Sequence, residues 1–572
     1  MTSASKKSPR FDSILIVTYG RSGSTLLQGV LNALPSVLIR GENYNFCWGI
    51  YQAWKSICVA KLKFGDSNKT KMKSSSWYGA ELLSPSNFQE MARELIKVQL
   101  GIPSDSDMVW GFKEIRYIDF LDELPNFLNF MKILFPGVAI IFNTRELPAV
   151  LESGWWYSKN KDETTNLLRK ADRVFFEYAE KNNNAFVQRY ERTILGEPGL
   201  RPLFEFLSMW PDIEEISNVL QTRHSYEVKE TTISQSIKNR HDKASKNYAD
   251  SKEDLRALAH IKSAELNLCD EKHILISTIR DEIQRLPWFL EHYRALGTKE
   301  FFIIDNGSTD GSTEFLKEQD DVTLYSAPKG QYNSSGFGTV WTDALSYKHG
   351  INRWALVADV DELLVWPNCF TEKIPGLVKK AERLGLNRVF TPMVDVYGKT
   401  PCSEMPPYEV GKPFSVWCNL MDHVSLMKYG FHNGRFSLFG GPRMRFGKSG
   451  ESPPIMSKQK LYFVEQNGFK SSNPHFDNYV LPSPLVAPLL HYKFMPDFKY
   501  KIDKAIYEGQ HWKNAREYKN YKEAELYKRI IVGAMSVPVD SPDGLSAFIE
   551  QISATIRAAG VSGSIHWRRF DN

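Results

Sequence analysis

Four aliphatic residues, Ile14-Leu-Ile-Val17, run directly into Thr18-Tyr-Gly-Arg-Ser-Gly-Ser-Thr25, and an amphipathic stretch, Leu26 to Leu34, follows. A strand that turns through small residues straight into a helix points to an α/β layer. It also makes an anion cradle. Gly20 and Gly23 allow tight backbone conformations, so that consecutive N–H groups and a helix N-terminus face one spot. Arg21 and the hydroxyls of Ser22, Ser24 and Thr25 add donors. The spacing is not that of a nucleotide triphosphatase, since Gly-x-x-x-x-Gly-Lys-Ser/Thr would put a lysine after the second glycine, where this chain has Ser24. Another phosphoryl compound is expected. A Gly/Ser turn after a strand is also ordinary strand-to-helix punctuation.

Three further segments bear on the choice. Phe135-Pro-Gly-Val-Ala-Ile-Ile-Phe-Asn-Thr-Arg145 is a second apolar strand ending in arginine, with Ser153 eight residues on. Arg40-Gly-Glu-Asn43 places Glu42 21 residues after Arg21, and Trp110-Gly-Phe-Lys-Glu-Ile-Arg-Tyr117 carries Lys113. Together with the loop, these segments resemble the sulfotransferases over residues 11–220, closing with Arg189-Tyr-Glu191 and Leu203-Phe-Glu-Phe-Leu207. The resemblance implies that Arg21, Ser22, Gly23, Ser24 and Thr25 bind the 5'-phosphosulfate of 3'-phosphoadenosine 5'-phosphosulfate. It implies that Arg145 and Ser153, the latter on the next helix, grip the 3'-phosphate, a task suited to the guanidinium fork. Glu42 would be the general base, and Lys113 with Arg21 would steady charge on the leaving group. The earliest of the 12 histidines is His224. A carboxylate must therefore deprotonate the acceptor, and partial burial would suit it to that work.

A chain of 572 residues holds more than one such unit. The expected organisation is a first domain over 1–225, a polar, mixed-charge linker over 226–271, a second domain over 272–535 and a tail over 536–572 that docks or caps. In the second domain Ile274-Leu-Ile-Ser-Thr278, a helix from Glu282 to Leu296, and Phe301-Phe-Ile-Ile-Asp-Asn-Gly-Ser-Thr-Asp-Gly311 read as a βαβ unit. Trp354-Ala-Leu-Val-Ala358 then runs into Asp359-Val-Asp361-Glu362. Paired aspartates after a strand suit a divalent cation, although an isolated pair is commonly a surface turn.

Asp305-Asn-Gly-Ser-Thr-Asp-Gly311 standing 54 residues before Asp359, with Arg280-Asp-Glu282 and Trp288-Phe-Leu-Glu-His-Tyr293, resembles family 2 glycosyltransferases of the GT-A, Rossmann-like fold. Gly440-Gly-Pro-Arg-Met-Arg-Phe446, Ser457-Lys458, Asn473-Pro-His475 and Leu489-Leu-His491 follow in the order of that family. The resemblance implies a nucleotide-sugar donor bound by Arg280, Asp305 and Asp359, with Arg443, Arg445 and Lys458 neutralising its diphosphate. It implies a divalent cation, Mn or Mg, held by Asp359, Asp361 and His491. Glu362, Asp395, Asp422 and His475 stand equal as catalytic base.

The chain is 42% hydrophobic and 13% aromatic, and its net charge of +5 suits anionic donors without suggesting a nucleic-acid binder. Six cysteines without Cys-x-x-Cys spacing fit reduced thiols and no zinc. No apolar run of 18 residues occurs, and no signal-peptide core is visible. The expectation is a cytoplasmic enzyme of bacterial type that acts on a glycan or glycoconjugate, with peripheral membrane contact and oligomeric state left open. The reading is a bifunctional transferase, a P-loop-like parallel-sheet sulfotransferase domain followed by a GT-A domain. A glycosyltransferase with a non-catalytic first domain and a carbohydrate-binding scaffold are the alternatives. Intact acidic and basic side chains count against both.

Overall fold

Ser13–Thr18 (β1) is buried along its whole length, as a strand must be when helices cover both faces of a parallel sheet. The computed structural model describes residues 9–103, 107–221, 255, 257–265, 272–328, 330–432, 435–446, 454–465 and 482–562, and counts of elements refer to these. His475 lies outside them. The chain divides into two compact units, Met1–Thr231 with Glu382–Gly385, and Thr232–Ala381 with Leu386–Asn572.

In the first unit β1, β2 (Val37–Arg40), β3 (Val109–Glu114), β4 (Val138–Thr144) and β5 (Ala185–Arg189) form one parallel sheet in the order β2-β3-β1-β4-β5. Helices α1 (Ser24–Asn32), α2 (Phe46–Phe64), α3 (Pro85–Gln99), α4 (Leu124–Leu134), α5 (Leu147–Leu151) and α6 (Lys161–Lys181) connect the strands. One core layer joins Ile14, Ile16, Leu27, Val30, Leu31, Ile141 and Phe186. The chain leaves β1 for β2 and β3 on one side and then crosses to β4 and β5 on the other. That reversal makes the carboxyl end of β1 a topological switch point, the place where open α/β sheets bind ligands.

In the second unit β6 (Ala259–Lys262), β7 (His273–Ile279), β8 (Phe301–Asp305), β9 (Val322–Ser326), β10 (Trp354–Val357), β12 (Arg388–Val389) and β17 (Leu461–Phe463) make a sheet ordered β12-β17-β10-β7-β8-β9-β6. Its centre is parallel, while β17, β12 and β6 run antiparallel to their neighbours. A three-stranded sheet sets β18 (Leu489–His491) between β11 (Glu362–Leu364) and β13 (Met393–Asp395). β15 (Lys428–His432) pairs with β16 (Arg435–Phe439).

Two elements lie across the expected boundaries. Ala259–Lys262, expected in the linker, is an edge strand of this sheet. The expected tail belongs to the unit: β14 (Leu420–Asp422) pairs with β19 (Ser536–Pro538), and the helix Ala547–Ser562 sends Phe548, Ile552 and Ile556 into the core that holds Leu275, Phe289, Trp354 and Leu461. Among the described residues no helix is long and apolar enough to cross a membrane.

Candidate functional site

The turn after β1 is anchored through its carbonyls. Gly20 O accepts from Trp156 Nε1 at 2.9 Å, Arg21 O from Arg145 Nη1 at 3.2 Å, Ser22 O from Asn143 Nδ2 at 2.9 Å, and Gly23 O from the N–H of Leu26 at 3.0 Å. In a trans peptide the carbonyl and the following N–H point opposite ways. The N–H groups of Arg21, Ser22, Gly23 and Ser24 therefore face away from these anchors, ahead of the positive end of α1. Arg21 and Gly23 both take left-handed backbone conformations, φ 69° and 82°. A Cβ on Gly23 would overlap the ring of Tyr190, and one on Gly20 the ring of Trp155.

The three groups read as phosphate ligands from separate segments converge here. Arg21 Nε donates to Ser153 Oγ at 2.9 Å, and the Arg145 guanidinium lies 4.3 Å from the centre of the Tyr190 ring with its Nε buried and without a hydrogen-bond partner among the described residues. Two details differ from expectation. Ser153 is not on a helix but directly precedes the 3-10 turn Gly154–Ser158 after α5. Ser22 is fully buried with its hydroxyl bonded to Thr18 Oγ1 at 2.7 Å, so it braces the loop from beneath.

Beside the loop, Lys113 Nζ stands 3.4 Å from Thr25 Oγ1 and 3.0 Å from Glu42 Oε1. Arg116 Nη1 reaches Glu42 Oε2 at 3.1 Å. The Glu42 side chain, 31% exposed, is thus held between two cations, where partial burial alone was expected. Glu114, which sequence reasoning passed over, organises this corner. Its Oε2 accepts from the N–H groups of Asn43 and Asn45, and its Oε1 from those of Ile115 and Arg116 and from Arg116 Nη1. Burial pushes the Glu114 carboxyl up, but hydrogen bonds from the Asn45, Ile115 and Asn43 backbone and from Arg116 outweigh it and hold it below the usual carboxylate range. A glutamate and an arginine closing a fully buried strand were the available signal.

In the second unit β18 lies in register with Glu362 on one side and Asp395 on the other, bringing His491 to the Asp359–Asp361 turn. His491 Nε2 is 3.6 Å from Asp361 Oδ2, and its Nδ1 is bonded to Asp395 Oδ1 at 2.7 Å. A buried carboxylate behind a histidine fixes ring orientation, as in many metal sites. Burial pushes Asp361 up, yet His491, Lys501, Arg285 and Lys493 outweigh it and hold it well below the usual range. Asp359, with its side chain 58% exposed, lies 3.7 Å from Lys458 Nζ instead of joining His491. Among the described residues no three His, Cys, Asp or Glu side chains gather as a metal cage. Asp361 and His491 remain a pair that fits a cation completed by phosphate oxygens and water.

The cations expected at a diphosphate are committed to internal carboxylates. Arg443 is buried against Asp395 at 2.7 Å, Arg445 grips Asp422 at 2.8 and 2.9 Å, and buried Lys458 pairs with Glu362. The same pairings occupy Asp395, Asp422 and Glu362, three of the four candidate bases. Asp305 is buried and holds its own turn, accepting from Ser308 N–H and Oγ and from Thr313 Oγ1, so the expected nucleoside contact is not what its oxygens make. Arg280 pairs with Glu508 at 3.0 Å.

No family model matches the chain, and no curated protein does. Among solved structures, it is similar to the sulfotransferase domain from the Synechococcus PCC 7002 olefin synthase, at 18% identity, over 40% of this chain and 83% of that one, with a TM-score of 0.25. That score carries no weight beside the geometry.

Proposed function

We propose that the first unit transfers a sulfuryl group from 3'-phosphoadenosine 5'-phosphosulfate to a hydroxyl of a glycan or glycoconjugate. One observation carries the reading: Lys113 touches both the anion loop, at Thr25, and the carboxylate of Glu42. In the proposed reaction Glu42 takes the acceptor proton, and the acceptor oxygen bonds to sulfur. The bond from sulfur to the bridging oxygen breaks, and its electron pair leaves on adenosine 3',5'-bisphosphate. Lys113 and Arg21 neutralise the charge that builds there. A donor that draws Lys113 toward its bridging oxygen loosens the lysine's hold on Glu42, so loading the donor readies the base. Arg145 and Ser153 would take the 3'-phosphate, for which the unpartnered Nε of Arg145 is suited. The test is calorimetric titration of the protein and of Arg145→Ala with the donor, then transfer of label to glycan acceptors. Binding by the unsubstituted protein, weakened about a hundredfold or more in the variant, is expected for a charged pair removed from a phosphate site. No binding by either would leave the unit without this activity.

A second reading, for the second unit, is glycosyl transfer from a nucleotide-sugar. The Asp361–His491–Asp395 chain at the carboxyl end of β10 favours it. Asp361 and His491 would hold a divalent cation, which when bound offsets diphosphate charge as the sugar leaves. Asp395 orients His491, and Arg443 keeps Asp395 ionised. Asp361→Asn and His491→Gln are expected to abolish manganese-dependent binding of nucleotide-sugars. Binding that needs no cation and survives both changes would defeat the reading. If both units serve one acceptor, tethering raises its concentration at the second site to about the millimolar range. Unrelated acceptor preferences would count against that link.

A further inference from the structure

We propose that the far end of α2 and the connector behind it, residues 61–82, form a docking surface for an anionic lipid bilayer, independently of what either unit catalyses. The segment carries Lys61, Lys63, Lys69, Lys71 and Lys73 against Asp66 and Glu81. Lys63, Lys69, Lys71 and Lys73 are exposed, and the ion pairs nearest in sequence, Lys55–Glu123 and Lys97–Glu94, involve none of them. Large apolar side chains stand among them: Leu62 is 86% exposed and Leu82 80%, with Met72, Trp77 and Tyr78 also exposed.

The surface is built rather than incidental. Lys61 Nζ donates to Glu81 O at 2.6 Å, which ties the last turn of α2 to the segment that carries Leu82. Trp77 stacks on Phe64 with ring centres 3.6 Å apart, and Gly79 N–H bonds Thr70 O at 2.9 Å, which ties the backbone after Tyr78 to the turn between the lysines at 69 and 71. An exposed cluster of aliphatic and aromatic side chains is unusual on a surface that meets only water. Lysines around aromatic and aliphatic side chains match the interface of a bilayer with negative headgroups. The charge argues against a second copy docking through the same patch, because like charges would face each other. A soluble polyanion would use the lysines and leave Leu62 and Leu82 in water. Helix α2 starts just after Glu42 and is 19 residues long, so the patch lies about 28 Å along that helix from the first unit's candidate base.

The test is sedimentation of the full chain with phosphatidylcholine vesicles, with and without about 30% phosphatidylserine, at low and high salt. Binding only to the serine-lipid vesicles, weakened by salt, is expected. Replacing Lys63, Lys69, Lys71 and Lys73 by glutamine should weaken it several hundredfold, at roughly five-fold per lysine. The same change at Lys317, Lys379, Lys399 and Lys412, also exposed, should leave it within a few-fold. Leu62→Ser with Leu82→Ser, both exposed and safe for folding, should weaken it at least ten-fold. Absent binding, or equal loss in the two lysine sets, overturns the proposal. So does binding that ignores the leucine changes, which would mark a site for a soluble polyanion instead.

Discussion

Replacing Glu114 by glutamine tests how the candidate base is held. Glu114 Oε1 takes three donors and Oε2 two, the N–H groups of Asn43 and Asn45 at 3.1 and 3.0 Å. A glutamine amide has one oxygen, which belongs on the side with three donors. Its NH2 then faces two N–H groups that lose their acceptor within a buried corner. Hydrogen bonds to a charged group are worth ~1.5 kcal/mol or more each, so Glu114→Gln should cost about 3 kcal/mol locally. That is roughly a hundredfold rise in opening of the segment after β2. Hydrogen exchange followed by mass spectrometry in the full chain reads this directly: peptides covering 41–50 should exchange about a hundredfold faster, while those of β1 and β4 keep their protection. Glu42 directly precedes Asn43, one of the two groups that lose their acceptor, so transfer by the first unit should slow while donor binding at Arg145 and Ser153 changes little. Unchanged exchange over 41–50 would refute the reasoning.

Gly23→Ala should cost about 2 kcal/mol, since a left-handed alanine is strained by ~1 kcal/mol and its methyl displaces Tyr190, and it should weaken donor binding by the same distortion; thermal unfolding and calorimetry measure both. Burial raises the Asp395 carboxyl, but Arg443 and His491 bring it down to about 2. A depressed carboxyl gives stability that is present above its unfolded value and lost as pH falls through the folded one. The second unit should therefore lose about 2 kcal/mol between pH values of about 4 and 2, a slope that acid titration of Asp395→Asn should lack. Ending the chain after Ser546 removes Phe548, Ile552 and Ile556 from the core, each worth about 2 to 5 kcal/mol. The second unit should then fail to fold cooperatively, with exchange protection in the first unit retained.

The strands that carry the sites were legible because they are short apolar runs ending in polar turns, and β1, β4, β7, β8 and β10 all lie where those runs lie. Lys113 and Glu42 are far apart in sequence, and the structure brings their charges to 3.0 Å. Pairing was not legible. Arg443, Arg445 and Lys458 read as ligands for a diphosphate because spacing reports which residues are cations and says nothing of which carboxylate lies opposite. Only the fold decides that, by where it sets Glu362 of β11, Asp395 of β13 and Asp422 of β14. The closing helix was open for a related reason: an amphipathic stripe says that one face is covered, but not by what, so docking and capping stood together until its core partners were seen. Glu114 escaped notice because four of its five donors are backbone N–H groups, which leave no mark in side-chain sequence.

The return of β19 and the helix Ala547–Ser562 to strands made long before them orders events during synthesis. Everything the first unit's sheet needs is present once Arg189 has emerged. β7, β8 and β10 must wait for residues some two hundred positions later, which takes on the order of ten seconds or more of elongation. Through that interval the apolar face that Phe548, Ile552 and Ile556 later cover stands open, and the free edge of β14 has no neighbour from β19. The nascent second unit is thus the part of this chain that chaperones have most reason to hold, and a pause late in translation would lengthen the exposure while leaving the first unit already closed.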